Sequence, residues 1–288
     1  MKKRKTLATL ALASTLLIPT LALVACSNEE DVPPTIETPI EPENPETPET
    51  PETPENGNVS VPPTNESPLP PVVTPIVKKA QYIRCTGDSV NLRSGAGTSY
   101  SVVGSAKKGE IYAVIAQSGN WYKTYYRGKE VYLSASYATV LSLDKAETKV
   151  ENVLDEGYKL LGVPYVYGAV RFHDGKGNLL ANFNAQKFDC SSLVQYVFYK
   201  GANKTLLDVT TRTQVKQGRF VPKSELKRGD CIYFTNESRQ YLSGIERVGH
   251  VAIYLGDNYI LHTASDYARI EKMTATRWSF YIEARRFI

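Results

Sequence analysis

The chain has 288 residues, of which 42% are hydrophobic, so it is long enough for two modest folded domains. Its net charge of +4 conceals an uneven distribution, because residues 27–77 contain eleven acidic side chains and no basic ones. The three histidines and four cysteines form no CxxC pair and no spacing typical of zinc ligands, which argues against a metal site. We expect neither a metal nor a cofactor.

Residues 1–25 have the pattern of a secretory signal peptide, with four basic residues at positions 2–5 followed by a short apolar stretch. The stretch ends in LVAC, which resembles the lipobox of bacterial lipoproteins. This resemblance implies cleavage before Cys26 and a diacylglyceryl anchor on that cysteine, at the outer face of the bacterial cell membrane. The alternative is a plain signal peptide that happens to be followed by a cysteine.

Residues 26–79 contain 14 of the 17 prolines and repeat the motif ETP. Such a segment cannot bury a core, so we expect a disordered, extended spacer that reaches into the cell wall. The part of the chain after the spacer is basic, because the net charge of the whole chain is positive although the spacer is acidic. A basic exported surface suits an anionic cell-wall polymer, or it is simply solvated; we expect no nucleic-acid partner.

Residues 80–143 change to short alternating runs separated by turn signals such as Lys108-Gly109 and Arg127-Gly128. The pattern predicts a small all-β barrel of five to seven strands, in which residues 111–115 (IYAVI) form one alternating strand. The string NLRSGAGTSYSVVGSAKKGE…NWYKTYYRGKEVYLSASY resembles the bacterial SH3-like domain of cell-wall proteins. Four positions are interpreted as framework, and three tyrosines as either framework or an exposed aromatic face for a glycan or peptide. The first set is Asn91, Arg93, Trp121 and Tyr122, and the second is Tyr125, Tyr126 and Tyr132.

The sequence pattern of residues 145–288 predicts a second domain in which helices precede antiparallel strands. Apolar residues at helical spacing end at Gly162, and a second amphipathic run begins at Cys190 and ends at Gly201. The segments GDCIYFTN, GHVAIYLGDNYILHTAS, ARIEKM and SFYIEARRFI are typical of strands. This order predicts an α+β fold.

Cys190 follows Asp189, a natural N-cap residue, and so falls in the first turn of a helix, where backbone amides and the helix dipole favour a thiolate. His250 begins one predicted strand and His262 ends the next, and the hairpin signal of residues 256–258 joins the two strands. Pairing these strands would bring the histidines together as a base and its orienting partner. A cysteine taken alone is more often a small buried residue than a nucleophile, and this is the alternative for Cys190.

The remaining candidates are interpreted as structural or solvated. Cys231 lies inside the segment GDCIYF and Cys85 in a predicted strand of the small barrel, so we expect both to be inert core residues. His173 lies in the polar loop FHDGKGN, so we expect it to be solvated.

The series PYVYGA…FDCSSLVQYVF…LKRGDCIYF…VGHVAIYLG…ILHTAS resembles the NlpC-type, papain-like cell-wall cysteine peptidases over roughly residues 147–288. The resemblance implies that Cys190 is the nucleophile, His250 the base and His262 the orienting residue. It also implies that Tyr165 supports the nucleophile or the oxyanion, with a packing aromatic as the alternative.

The resemblance further implies a groove lined by Asp189 and Ser191, although Asp189 could simply cap the helix. This chain departs from the family pattern at Ser192, where relatives usually have glycine. We therefore expect the substrate groove beside Cys190 to be narrower. Thr210 stands where some relatives with an SH3-like partner domain have an aspartate that holds the free amine of L-alanine. A requirement for trimmed peptide ends is therefore left open.

The implied reaction is hydrolysis of peptidoglycan stem peptides, or of muropeptides, between γ-D-glutamate and the diamino acid through an acyl-enzyme. The implied protein is a monomer that needs no cofactor. Two alternatives remain: a non-catalytic wall-binding lipoprotein, and an amidase or acyltransferase that uses the same three residues.

Overall fold

The computed structural model describes residues 78–205 and 209–288. The predicted signal peptide, the predicted lipidation of Cys26 and the predicted spacer up to residue 77 lie outside the described residues. In the part of the chain that is described, no helix is both long and apolar enough to cross a membrane.

Residues 79–144 form eight short strands, more than the five to seven predicted. Five of them make a sheet of their own in the order β3-β2-β7-β6-β5, which is the SH3-like part of the fold. The strands are β1 (Lys79–Cys85), β2 (Val90–Arg93), β3 (Val102–Ala106), β4 (Ile111–Ala113), β5 (Ala116–Ser118), β6 (Trp121–Tyr126), β7 (Lys129–Ser134) and β8 (Ala138–Asp144).

The second domain begins with helices and continues into antiparallel strands, which confirms the predicted α+β order. Its helices are α1 (Thr148–Lys159), α2 (Cys190–Ala202), α3 (Thr211–Gln214) and α4 (Ala275–Ser279). Its strands are β9 (Arg219–Val221), β10 (Cys231–Phe234), β11 (His250–Gly256), β12 (Tyr259–Ala264), β13 (Tyr267–Lys272) and β14 (Tyr281–Arg286).

The two domains share one nine-stranded sheet in the order β8-β1-β4-β13-β12-β11-β10-β14-β9. The junction is the pairing of Ile111 on β4 with Ile270 on β13. Beside it, the Tyr267 hydroxyl donates to one carboxylate oxygen of Glu110, and the Tyr112 hydroxyl donates to the other at 2.8 Å. The barrel therefore extends the sheet that carries the candidate site.

This junction explains why the alternating strand predicted for residues 111–115 is wrong. The strand ends at Ala113, and Ile111, Tyr112 and Ala113 are all buried, whereas Ile115 is 41% exposed. A strand at the centre of a sheet and covered on both faces is apolar on both faces, so its sequence does not follow the period of two.

Helices α1 and α2 approach closely and together cover the sheet. A Cβ atom at Gly201 would lie 2.5 Å from the Cα atom of Val153 and 2.6 Å from the Asn152 carbonyl oxygen. Only glycine allows this approach without a backbone shift. The contact fixes the end of α2 and hence the position of the helix that begins with Cys190.

A buried polar network joins the first helix of the second domain to the barrel. The Arg228 guanidinium donates to both Glu151 oxygens at 2.6 and 3.0 Å and to the Tyr158 hydroxyl at 2.9 Å. The Tyr158 hydroxyl lies 2.6 Å from that of Tyr82 on β1. Because the buried charges are paired and hydrogen-bonded, the network can exist inside the core.

Of the two alternatives for the barrel tyrosines, framework fits Tyr125 and Tyr126, which are partly buried and pack against the main core. Tyr126 would collide with any side chain at Gly162, in the second domain. Tyr132 is only partly exposed. Tyr126 therefore lies at the domain junction, whereas Tyr132 pairs with Arg93 and Lys123 within the barrel.

Candidate active site

Cys190 is the first residue of α2, as predicted, and Asp189 caps that helix. The Asp189 carboxylate accepts from the Ser192 amide at 2.8 Å, and the Ser192 hydroxyl accepts from the Asp189 amide at 2.9 Å. This reciprocal capping box satisfies two amide donors and fixes the start of the helix. Cys190 is thereby held in one position and is only 9% exposed.

The environment of the thiol corrects the expectation that the helix start favours a thiolate. Burial, and then the negative charge of Asp189, raise the pKa of Cys190 to about 12. The backbone amides of Val251 and Ser191 donate toward the sulfur and oppose this shift without overcoming it. The resting thiol therefore keeps its proton at neutral pH, and a nucleophile would require a base that removes it.

The predicted hairpin brings the two histidines together. Strands β11 and β12 pair antiparallel, and Asp257 and Asn258 both have positive φ at the turn (47° and 64°). His250 Nε2 lies 2.9 Å from His262 Nδ1. The backbone amide of Val251, the residue after His250 on β11, is one of the groups that lower the pKa of Cys190, so the thiol lies near the backbone of the strand that begins with His250.

Both histidines are neutral at physiological pH. Burial, and then the neighbouring His262, hold the pKa of His250 well below its usual range. Burial likewise lowers the pKa of His262, although a contact with Glu271 opposes the shift. A neutral imidazole has one unprotonated nitrogen and is therefore ready to accept a proton.

An acidic residue that was not predicted from the sequence lies behind the histidines. Glu271 on β13 has its Oε1 atom 3.3 Å from His262 Nε2. Arg277 Nη2 lies 2.6 Å from the same oxygen, and Arg269 Nε lies 3.2 Å from Oε2. Although burial opposes ionisation, His262, Arg277 and Arg269 hold the pKa of Glu271 at about 2. The alternation of charges in ARIEKM was the only available signal, and it does not show which residue the glutamate contacts.

Tyr165 lies close to the thiol and is partly buried. A bridge pairs it with Phe188, two residues before Cys190. Burial, and then the neighbouring Cys190 and Asp189, raise the pKa of the Tyr165 hydroxyl to about 12. The hydroxyl therefore stays protonated and can donate a hydrogen bond.

The polar groups beside Cys190 are directed into the helix cap. Ser191 is 3% exposed and donates to Asp189 at 3.1 Å, while Arg171 forms an ion pair with the same carboxylate. Ser192 is fully buried, with its hydroxyl in the capping box. The expectation that Ser192 narrows a groove is therefore wrong, because its side chain does not reach the surface.

Three other predicted positions are also resolved. His173 is fully buried and packs against Phe172 and Tyr199, so the expectation that it is solvated is wrong. Its Nδ1 atom accepts from the Gly175 amide at 3.0 Å, which stabilises the loop. Cys85 and Cys231 are buried and unpaired, as expected of core residues.

Thr210 caps α3 through its contact with Thr213, and the two hydroxyl groups lie 2.7 Å apart. Within residues 78–205 and 209–288, no cluster of histidine, cysteine, aspartate or glutamate side chains could hold a metal ion.

A helix-first α+β domain with a cysteine at the start of its central helix has the papain-like architecture, and the domain before it is an SH3-like barrel. Residues 162–286 match the model of the NlpC/P60 family, and residues 88–139 match the model of the bacterial SH3 domain. The chain thus carries an NlpC/P60 domain preceded by a bacterial SH3 domain.

Three curated relatives illustrate the similarity. The peptidoglycan DL-endopeptidase CwlO of Bacillus licheniformis is 28% identical over 147 residues, which cover 50% of this chain and 29% of the relative. The γ-D-glutamyl-L-lysine dipeptidyl-peptidase of Bacillus subtilis is 27% identical over 166 residues, covering 58% of this chain and 49% of the relative. The γ-DL-glutamyl hydrolase of the same organism is 28% identical over 183 residues, covering 63% and 37%. The chain spans less than half the length of each.

Proposed function

We propose that this protein is a cysteine endopeptidase that hydrolyses peptidoglycan stem peptides at the bond between γ-D-glutamate and the diamino acid. In this proposal Cys190 is the nucleophile, His250 the base and His262 the residue that orients the base. The observation that carries it is the 2.9 Å contact between His250 and His262, on the same hairpin as Val251, whose backbone amide lowers the pKa of Cys190.

The proposed chemistry follows from the protonation states. The neutral His250 takes the proton from the Cys190 thiol as the sulfur attacks the carbonyl carbon, which gives a tetrahedral intermediate. The imidazolium then gives that proton to the departing amine of the diamino acid, the C–N bond breaks and a thioester remains. A water molecule loses a proton to His250 and attacks the thioester, which releases the carboxylate product and restores the thiol.

The oxyanion of the tetrahedral intermediate requires hydrogen-bond donors. The backbone amide of Cys190, in the first turn of α2, is one candidate because first-turn amides have no partner within their own helix. The protonated hydroxyl of Tyr165 is the second candidate, and its proximity to Cys190 supports that role.

The choice of bond is supported by the names of the relatives. Two of them are named for hydrolysis at γ-glutamyl bonds and one as a peptidoglycan endopeptidase. Asp189 and Ser191 have a smaller part in this proposal than the sequence suggested, since their polar groups serve the helix cap. We propose that they shape the site by fixing Cys190.

We also propose an extracytoplasmic monomer, lipid-anchored through Cys26 at the outer face of the cell membrane, with a spacer reaching into the wall. Globomycin treatment should slow the electrophoretic mobility of the protein because the signal peptide is retained. Unchanged mobility together with release of the protein into the medium would contradict the anchor.

The function is tested by digesting purified cell wall and identifying the fragments by mass spectrometry. We expect new termini at γ-D-glutamate and the diamino acid, lost in Cys190→Ala and kept in the matched control Cys231→Ala. Fragments cut between N-acetylmuramic acid and L-alanine would instead indicate an amidase. No cleavage, together with wall binding that survives Cys190→Ala, would indicate a non-catalytic wall-binding protein.

A further inference from the structure

We propose that Glu271 is a positioning residue that fixes the tautomers of both histidines and so makes His250 Nδ1 the basic nitrogen. This inference deepens the proposed function and rests on it, because it assigns the group that prepares the base. Glu271 acts through His262 and is given no contact with substrate.

The geometry forms a continuous series of contacts. His250 Nε2 lies 2.9 Å from His262 Nδ1, and His262 Nε2 lies 3.3 Å from Glu271 Oε1. His250 Nε2 and His262 Nδ1 thus face each other at hydrogen-bond distance, and Glu271 Oε1 is the carboxylate oxygen nearest to the buried Nε2 of His262. The His262 side chain is fully buried, so its ring nitrogens depend on these protein groups as partners.

Two arginine side chains near Glu271 determine whether its carboxylate is ionised. Arg277 and Arg269 approach the two oxygens of Glu271 at 2.6 and 3.2 Å. Two guanidinium groups keep the carboxylate ionised, and an ionised carboxylate can only accept hydrogen bonds. The proton between Glu271 and His262 therefore belongs to His262 Nε2.

The proton on His262 Nε2 determines which of the other ring nitrogens of His262 and His250 are protonated. A neutral His262 protonated at Nε2 has an unprotonated Nδ1, which must accept from His250 Nε2–H. A neutral His250 protonated at Nε2 has an unprotonated Nδ1, the nitrogen required of a base. The opposite arrangement would place two hydrogen-bond acceptors, His262 Nε2 and Glu271 Oε1, against each other.

The strand that carries Glu271 is held from both sides. His262 on β12 pairs in register with Arg269 on β13, and Glu271 lies two residues further along, on the same face as Arg269. On its other edge β13 pairs with the barrel strand β4 through Ile270 and Ile111. The barrel thus stabilises the position of the glutamate.

The test combines imidazole ¹⁵N chemical shifts with kinetics for the wild type, Glu271→Ala and the isosteric Glu271→Gln. The matched control is Glu283→Gln, because Glu283 is also a partly buried strand glutamate, with Arg285 Nη2 at 2.5 Å. In the wild type we expect both histidines to be protonated at Nε2. In Glu271→Ala we expect mixed tautomers and a kcat about 10- to 100-fold lower, with KM changed by less than about twofold.

A purely structural role for Glu271 would lower thermal stability without changing the tautomers. A wild-type His262 protonated at Nδ1 would overturn the inference, as would Glu271→Ala with unchanged tautomers and kcat. The wild-type spectrum decides the question even if Glu271→Ala fails to fold.

Alkylation of Cys190 by iodoacetamide distinguishes this inference from the proposed function, because it needs no peptidoglycan. If the wild type does not cut cell wall but Glu271→Ala slows alkylation at pH 7.5 and mixes the tautomers, only the proposed function fails. If the wild type cuts cell wall and Glu271→Ala matches it in every measurement, only the inference fails.

Discussion

Replacing Ser192 with glycine should destabilise this protein and leave substrate binding unchanged. The Ser192 hydroxyl accepts from the buried Asp189 amide at 2.9 Å, and glycine would leave that amide without its partner. An unsatisfied buried donor costs about 1–3 kcal/mol. Glycine inside a helix adds about 0.5–1 kcal/mol of lost backbone entropy. For a folded part of this size, the sum corresponds to a fall in Tm of roughly 4–15 °C.

The assay is thermal unfolding followed by circular dichroism, with KM measured on a muropeptide. Ser192→Ala is the matched variant, since it removes the hydroxyl but keeps the helix propensity, and it should show the larger part of the loss. An unchanged Tm in both variants would refute the reasoning from the helix cap. A lower KM in Ser192→Gly at unchanged Tm would show that residue 192 restricts a groove after all.

Further predictions concern protonation, packing and the domain junction. Burial lowers the pKa of His250 and His262, so their contribution to stability is complete above about pH 6.5 and is lost as the pH falls below it. The acid limb of kcat/KM, measured from pH 4 to 8, should likewise lie below pH 6.5, and a midpoint at or above 6.5 would contradict this. Gly201→Ala should lower the free energy of unfolding in urea by about 1–3 kcal/mol through the collision between helices, and unchanged stability would refute that packing. Tyr267→Phe should cost about 1 kcal/mol, reduced by partial exposure, and should add nothing once Glu110→Ala is present; additive losses would show that the two residues act independently.

The parts of the site that were predictable depend on local sequence. A two-residue turn with Asp257 and Asn258 permits one tight hairpin, so the strands on either side carry His250 and His262 to the same place. Asp189 before an amphipathic run specifies a helix start, and therefore places Cys190 in the first turn. Neither inference requires knowledge of contacts distant in sequence.

The parts that were missed depend on what packs from elsewhere. Glu271 became a neighbour of His262 only because a third strand joined the hairpin in one register. His173 lies in a polar loop, yet surrounding aromatic rings bury it. The helix start at Cys190 was correctly located, but burial and Asp189 raise the pKa of the thiol more than the backbone amides of Val251 and Ser191 lower it.

The domain junction changes how the SH3-like barrel should be understood. A barrel on a flexible connection would affect only where the protein binds. Here β4 of the barrel lies directly beside β13, the strand that carries Glu271, in one sheet. Ile270 is buried between the two domains, so without the barrel β13 would become an exposed apolar edge. The geometry behind His262 therefore depends on both domains, and a change in the barrel can alter His250, the proposed base, without touching Cys190.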